Sequence, residues 1–266
     1  MIPKTLSLLI LGLSVGMSTA HAGTKLETVN RDLSGGRTTT INTWAQAGMI
    51  RVETAPNDST MIFKDDTIYA ISHKEKSYMA MDRASMKKMA ETLNPALQML
   101  QERMKTMTPE QRAQMEKMLG GKLPNGVGGE PEPQQEIKRT SRNDKINGYS
   151  CSYVEVREAG VLTDEMCVVP GNGLKGSAEL MAAAKKMAAV MQDMMSSMDA
   201  PWLKQMAQKQ MQNFEALGGI PVLSRHFVDG KPQNETTLTD ISSAPLAATL
   251  FEIPAGYTKK DIMAPR

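Results

Sequence analysis

Residues 49–81 read MIRVETAPNDSTMIFKDDTIYAISHKEKSYMAM. Successive side chains of a strand point to opposite sides, so Ile50, Val52 and Thr54 share one face while Arg51 and Glu53 share the other. Turn formers interrupt the stretch at Pro56-Asn57-Asp58, Asp65-Asp66 and His73-Lys74-Glu75-Lys76. The strands between them are predicted at Met49–Thr54, Met61–Phe63, Thr67–Ile71 and Tyr78–Met81. Working back towards the N-terminus, Leu26–Leu33 and Thr38–Trp44 continue the pattern around Ser34-Gly35-Gly36, with Gln46-Ala47-Gly48 as the next turn. Short alternating strands at this spacing predict an antiparallel meander with one face in a core.

Beyond Met81 the period changes. Met86, Met89, Leu93, Leu97, Leu100, Met104 and Met107 recur every three or four residues, as on one face of an α-helix. Asn94-Pro95 reads as a cap followed by a first-turn proline, which predicts two helices here. Thr108-Pro109-Glu110-Gln111 is a capping box for a further helix ending at Gly120-Gly121, followed by a Gly- and Pro-rich loop. Strand character returns at Gln135–Arg142 and in a hairpin over Tyr149–Val169. Ala178–Ser197 is the second helical block, Pro201 opens another helix ending at Gly218-Gly219, and Val222–Val228 with Asn234–Ile241 form a last hairpin. A short helical stretch is expected near Pro245–Leu250. The predicted fold class is α+β, a curved antiparallel sheet of about eleven strands covered by helical insertions at about 84–120 and 177–218.

The chain has two cysteines, Cys151 and Cys167. With Glu158-Ala159-Gly160 as a three-residue loop, folding about Ala159 sets Cys151 opposite Cys167, Tyr153 opposite Glu165 and Glu155 opposite Thr163. Directly opposed cross-strand residues have Cα atoms roughly 4.5 Å apart in non-hydrogen-bonded pairs, near the lower end of disulfide geometry. A disulfide is expected. The alternative, a reactive or metal-binding thiol pair, lacks C-x-x-C spacing and neighbouring histidine.

The N-terminus agrees with an oxidising compartment. Lys4 precedes the apolar run Leu6–Val15, and Ala20-His21-Ala22 forms an A-x-A site before Gly23. Those are the three parts of a cleavable signal peptide, predicted as residues 1–22 with residues 23–266 as one domain. The run of about ten residues is too short to span a bilayer, no later stretch approaches the length required, and no cysteine follows the cleavage site to carry a lipid. The expected location is therefore periplasmic or secreted, without a transmembrane anchor. A formal net charge of +2 gives no electrostatic reason to expect nucleic acid as a partner.

The meander, G-Y-x-C at Gly148–Cys151, the Met-rich helices and F-E-I-P-A-G-Y at Phe251–Tyr257 resemble an uncharacterised family of exported bacterial proteins. That family is similar to the periplasmic lipoprotein-carrier superfamily of LolA, LolB and RseB. The resemblance implies an incomplete antiparallel barrel closed by helices over an apolar cavity, which in the carriers holds acyl chains. No functional residue of the carriers maps onto a particular position of this chain.

Catalysis finds little support. His73 lies in a charged turn and His226 on a predicted strand, and neither has metal-site spacing. No G-x-S-x-G elbow is present, and Gly126, Gly128 and Gly129 follow a helix rather than a strand. No enzyme activity, cofactor or metal site is expected.

Methionine is the anomaly of the composition, at 23 residues against 4% aromatics. Three readings compete for the helical methionines: core filler, a deformable groove for an acyl chain or other hydrophobic ligand, and thioether ligands for Cu(I). The preferred reading is a non-enzymatic binding protein for a lipid or other hydrophobic molecule. Its candidate lining residues are Met104, Met107, Met115, Met118, Met187, Met191, Met194 and Met198. Cu(I) binding on the same side chains is one alternative. An envelope-stress or assembly factor that binds a lipoprotein or another envelope protein, as the RseB likeness allows, is the other.

Overall fold

The computed structural model describes residues 22–56, 59–108, 110–111, 114, 135–171, 173–196, 208, 212–213 and 215–261. Twelve strands form one open, curved sheet, antiparallel except at its last strand, a half-barrel that does not close. They are β1 (Gly23–Asp32), β2 (Thr38–Gln46), β3 (Met49–Ala55), β4 (Ser59–Lys64), β5 (Thr67–Ser72), β6 (Ser77–Met81), β7 (Gln135–Ile146), β8 (Tyr149–Glu158), β9 (Val161–Pro170), β10 (Gly219–Val228), β11 (Lys231–Ala244) and β12 (Thr258–Lys259). Their spatial order is β12-β6-β5-β4-β3-β2-β1-β11-β10-β9-β8-β7. The meander supplies one half, and the later hairpins join it where β11 pairs with β1.

Two long helices accompany the sheet among the described residues, α1 (Arg83–Thr106) and α2 (Ser177–Ser196). The expected break at Asn94-Pro95 is not there: Pro95 lies inside the continuous α1. Proline removes one i→i−4 hydrogen bond, but Pro95 is exposed and the helix runs on through it. The capping box beyond α1 does form, with the Gln111 backbone N–H donating to Thr108 Oγ1 at 3.3 Å and the Thr108 N–H to Gln111 Oε1 at 2.9 Å. The predicted helix from Pro201, apart from its last residues, and the Gly- and Pro-rich loop lie outside the described residues.

The β4 strand shows how the core is arranged. Its neighbours Ile62 and Phe63 are both fully buried although they point to opposite faces. On one face α2 packs Ala183, with Leu180, Ala184, Met187 and Val190, onto Ala45, Ile50, Phe63 and Ile68. On the other, the C-terminal tail packs Phe251, with Leu246, Leu250, Ile253 and Tyr257, onto Ile62 and Ile71. Polar contacts fasten that tail. The Arg51 guanidinium donates to the Leu250 carbonyl at 2.8 Å, and the Leu246 N–H donates to Gln46 Oε1 at 2.8 Å. Tyr257 then leads into β12, which pairs in parallel with β6 at Thr258↔Ser77.

The cysteine hairpin holds a correction. Ala159 (φ 48°) and Gly160 (φ 81°) alone form the turn, so Glu158 faces Val161. Two consecutive residues at positive φ make the tight turn that matches strand twist. With an irregularity between Val156 and Arg157, the register places Tyr153 opposite Cys167 and Glu155 opposite Glu165, not the expected partners. Cys151 is therefore diagonal to Cys167, one pleat along on the same face. The Cα atoms are 5.3 Å apart and the disulfide forms.

Candidate functional site

On the face that carries α2, strands β3 to β6 present three parallel rows of cross-strand partners. The first is Ile50, Phe63, Ile68 and Met81, lying beneath α2. The second is Val52, Met61, Ala70 and Met79. The third is Thr54, Ser59, Ser72 and Ser77. Two residues along each strand the surface passes from the mostly buried apolar row, through a half-buried apolar one, to hydroxyls. The middle row is the floor of a groove of about 290 Å³, lined by Val52, Thr54, Ser59, Thr60, Met61, Ala70, Ile71, Ser72 and Met79. Its size is near the lower end of small-molecule pockets, which run from about 300 to 1,000 Å³.

Among the described residues, α2 leaves this row half-buried, with Val52 and Met61 packed at the edge of the cluster beneath the helix. The Thr24 hydroxyl donates to the Gly176 carbonyl at 2.7 Å, immediately before the helix begins. Gly176 has φ +85°, and a Cβ there would lie 2.5 Å from Thr24 Oγ1, so glycine lets the chain turn tightly against β1. Farther along, Glu179 accepts from the Gly48 N–H at 3.4 Å and Lys186 pairs with Asp66 at 3.3 Å. These contacts hold α2 at the β2–β3 and β4–β5 turns, one end of the strands. The groove lies towards the other end of the strands.

The candidate lining methionines are distributed differently. Met194 is buried with Met86 and Ala90, where α1 meets α2. Met187 packs at the edge of the cluster beneath α2, and Met191 is 37% exposed. Met107 is half-buried just beyond α1. Met104 is in α1, with its side chain outside the description, and Met115, Met118 and Met198 lie outside the described residues. Among the described residues the methionines of the groove are Met61 and Met79, on strands. Their signal in the sequence was the alternation Met61-Ile62-Phe63 and Tyr78-Met79-Ala80, in which each Met occupies the face of Ile50 and Val52.

Elsewhere the polar constellations satisfy one another. Arg225 faces Glu165 on one side and Glu235 on the other, and Glu165 also accepts from Arg142, which pairs with Glu155. Arg142 lies over the Tyr153 ring, 4.4 Å from its centroid. The hydrogen bond that Arg142 donates to Glu165 raises its pKa, and the bond that Arg225 donates to Glu235 raises that of Arg225. Burial, reinforced by the hydrogen bond to Asp144, pushes the Tyr153 phenol up. His73 bridges Thr60 Oγ1 at 2.8 Å and the Tyr257 hydroxyl at 2.9 Å, which ties the tail to β4. His226 of β10 contacts Asp164 of β9 at 2.9 Å on the exposed surface. Among the described residues no group of three or more His, Cys, Asp or Glu side chains could hold a metal ion, and no helix is long and apolar enough to cross a membrane.

Fold and groove together define an α+β half-barrel with a helix laid across one face and, among the described residues, a half-buried apolar row beside it. The chain belongs to the family described as "Domain of unknown function (DUF4412)", which it matches over residues 86–257. Comparison with curated protein sequences finds no match. Among solved structures it is similar to an uncharacterised conserved protein from Thermus thermophilus, with a TM-score of 0.44 and 8% identity over 91% of each chain. It is also similar to MucB of Pseudomonas aeruginosa in complex with MucA, with a TM-score of 0.40 and 9% identity over 88% of this chain and 56% of that one. A DUF1329 family protein from Desulfovibrio piger ATCC 29098 follows, with a TM-score of 0.27 and 9% identity over 88% of this chain and 91% of that one.

Proposed function

We propose that the protein is a non-enzymatic binding protein of the bacterial envelope that takes a lipid or another hydrophobic molecule into the β3–β6 groove. The observation that carries this reading is the middle row. Val52, Met61, Ala70 and Met79 form an apolar strip one row from the buried core, and hydroxyls rather than charges border its outer side. Apolar surface in an open groove gains by being covered, and flexible thioethers adapt to ligands of varied shape. The hydroxyl row can hydrogen-bond the polar end of an amphiphile lying with its chain on the strip. The predicted signal peptide, with β1 starting at Gly23 beyond its cleavage site, and the Cys151–Cys167 disulfide support a periplasmic location.

The test is titration of the mature protein with an environment-sensitive fluorescent fatty acid, followed by displacement with unlabelled lipids. Saturable uptake that is lost when Ala70 is enlarged supports the reading. Absence of uptake, together with capture of one protein partner by a crosslinker placed at Ser72, would replace the small ligand with a segment of an envelope protein.

A second reading, Cu(I) binding, has one observation in its favour: Met86, Met89 and Met194 gather in a single cluster. Competition with a Cu(I) chelator tests it, with Met86→Leu and Met194→Leu expected to remove the bound metal.

A further inference from the structure

We propose, resting on the reading of the groove as a site for a hydrophobic ligand, that this ligand carries one acyl chain of about ten to twelve carbons and that Thr43 of β2 sets the length. From β6 inward the apolar floor runs Met79, Ala70, Met61 and Val52, each the cross-strand partner of the next. Opposite Val52 on β2 stands Thr43. Opposite Thr43 on β1 is Leu26, which in turn faces Ile241 of β11. Cross-strand partners share a face, so these side chains form one row, and every one of them is half-buried. Thr43 is the residue in that row with a hydroxyl.

The surroundings give a chain on this strip its direction. Val52 and Met61 pack at the edge of the cluster beneath α2, so the helix flanks one side. Thr54, Ser59 and Ser72 flank the other. Ile41, the next residue along this face of β2, falls in that outer row, between Thr54 and Thr28. A chain held between helix and hydroxyls runs across the strands and meets Thr43 at β2. Covering that hydroxyl with a methyl or methylene group strips it of water and gives no hydrogen bond in return. Beyond it, Leu26 and Ile241 pack against the cluster of Cys167 and Leu238, with Leu180 and Met181 from the start of α2. The polar head lies at the other end, where Ser72 is diagonal to Met79.

Length and volume agree on the size. Adjacent strands lie about 4.8 Å apart, which puts Val52 about 14 Å from Met79. A saturated chain advances about 1.3 Å per carbon, given C–C bonds of about 1.5 Å, so about eleven carbons cover the strip. The groove has a volume of about 290 Å³. A methylene takes up about the share of one water molecule in the liquid, about 30 Å³, so the groove accommodates about ten. A lipid with two chains of this length does not fit.

The experiment displaces a bound fluorescent fatty acid with unlabelled saturated fatty acids, from octanoate to octadecanoate, each below the concentration at which it forms micelles. In the parent, affinity should rise about fourfold with each added carbon, level off at about twelve carbons and rise no further. That series tests the chain size without any variant. Thr43→Val replaces the hydroxyl with a methyl group and joins the strip to Leu26. Its affinity should go on rising to hexadecanoate, with at least about a tenfold gain over the parent for that acid. Thr43→Ser keeps the hydroxyl and should keep the parent's limit, and thermal midpoints check that both variants fold. A parent whose affinity rises all the way to octadecanoate, or a Thr43→Val variant with the parent's limit, overturns the proposal while the groove stands as a lipid site. If neither the probe nor any acid of the series binds, the reading of the groove falls and the proposal falls with it.

Discussion

Met61 on β4 and Met79 on β6 stand in the same row of cross-strand partners, with only Ala70 of β5 between them. Two long, flexible side chains flanking a methyl group make a depression, and its depth is set by how little Ala70 fills. Ala70→Phe should occupy that space and reduce uptake of a fluorescent fatty acid at least about tenfold, since the lost contacts correspond to more than about 1.4 kcal/mol. Ala70 is half-buried and faces the open side, so far-UV circular dichroism and the thermal midpoint should change little. Unchanged uptake in Ala70→Phe would place the ligand elsewhere.

Phe251 is 1% exposed at the centre of the tail's contact with Ile62 and Ile71. Phe251→Ala should lower the stability measured by urea unfolding by about 3–5 kcal/mol, through lost burial and the cavity left behind. Tyr257→Phe removes only the hydroxyl bonded to His73 and should cost about 1 kcal/mol. If both variants unfold at the same urea concentration as the parent, the tail is not part of the cooperative core.

The disulfide closes a loop with a sequence separation of 16 residues. Replacing both cysteines with serine should destabilise the protein by about 3 kcal/mol in the chain-entropy account. Denaturant unfolding of oxidised and variant protein checks this. Since Cys151 and Cys167 lie far along the sheet from the groove, ligand uptake at low temperature should survive.

Asp82 caps α1. Its Oδ1 accepts from the Ser85 backbone N–H at 2.7 Å, and that bond is the main reason its pKa lies below the ordinary 3.8. A depressed folded-state pKa means stability that is present above 3.8 and lost as the pH falls through the lower folded value. Asp82→Ala should cost about 1 kcal/mol at pH 7. Asp82→Asn keeps a capping acceptor but has no proton to lose. The stability difference between parent and Asp82→Asn should therefore shrink as the pH falls below 3.8. A difference independent of pH would show that the charge of Asp82 is not felt by α1.

Much of this architecture was legible because strand alternation and burial coincide. In Ile50, Val52 and Thr54 the sequence spells one residue from each of the three rows, and the neighbouring strands repeat the gradient. What could not be read was set by partners distant in sequence. The alternation does not say that the far face of β4 is covered by residues 245–257, nor that Thr258 pairs with Ser77 to make a twelfth strand. The cysteine hairpin misled by one residue of loop, since Ala159 accepts the positive φ usually left to glycine or asparagine. Pro95 misled because a proline that caps one helix and a proline tolerated on the exposed side of a longer one look the same locally. A methionine stripe at helical spacing has the same form whether it serves a seam, as Met86 and Met194 do, or a groove, so the sequence alone does not separate the two.

Native mass spectrometry of the protein, isolated gently from the cells that make it and compared with Ala70→Phe, tests the central claim most directly. The account predicts a parent that carries an additional mass which disperses into lipid-sized species, and an Ala70→Phe variant at the mass of the bare polypeptide. A parent at the bare polypeptide mass, or a variant that keeps the additional mass in full, would contradict it.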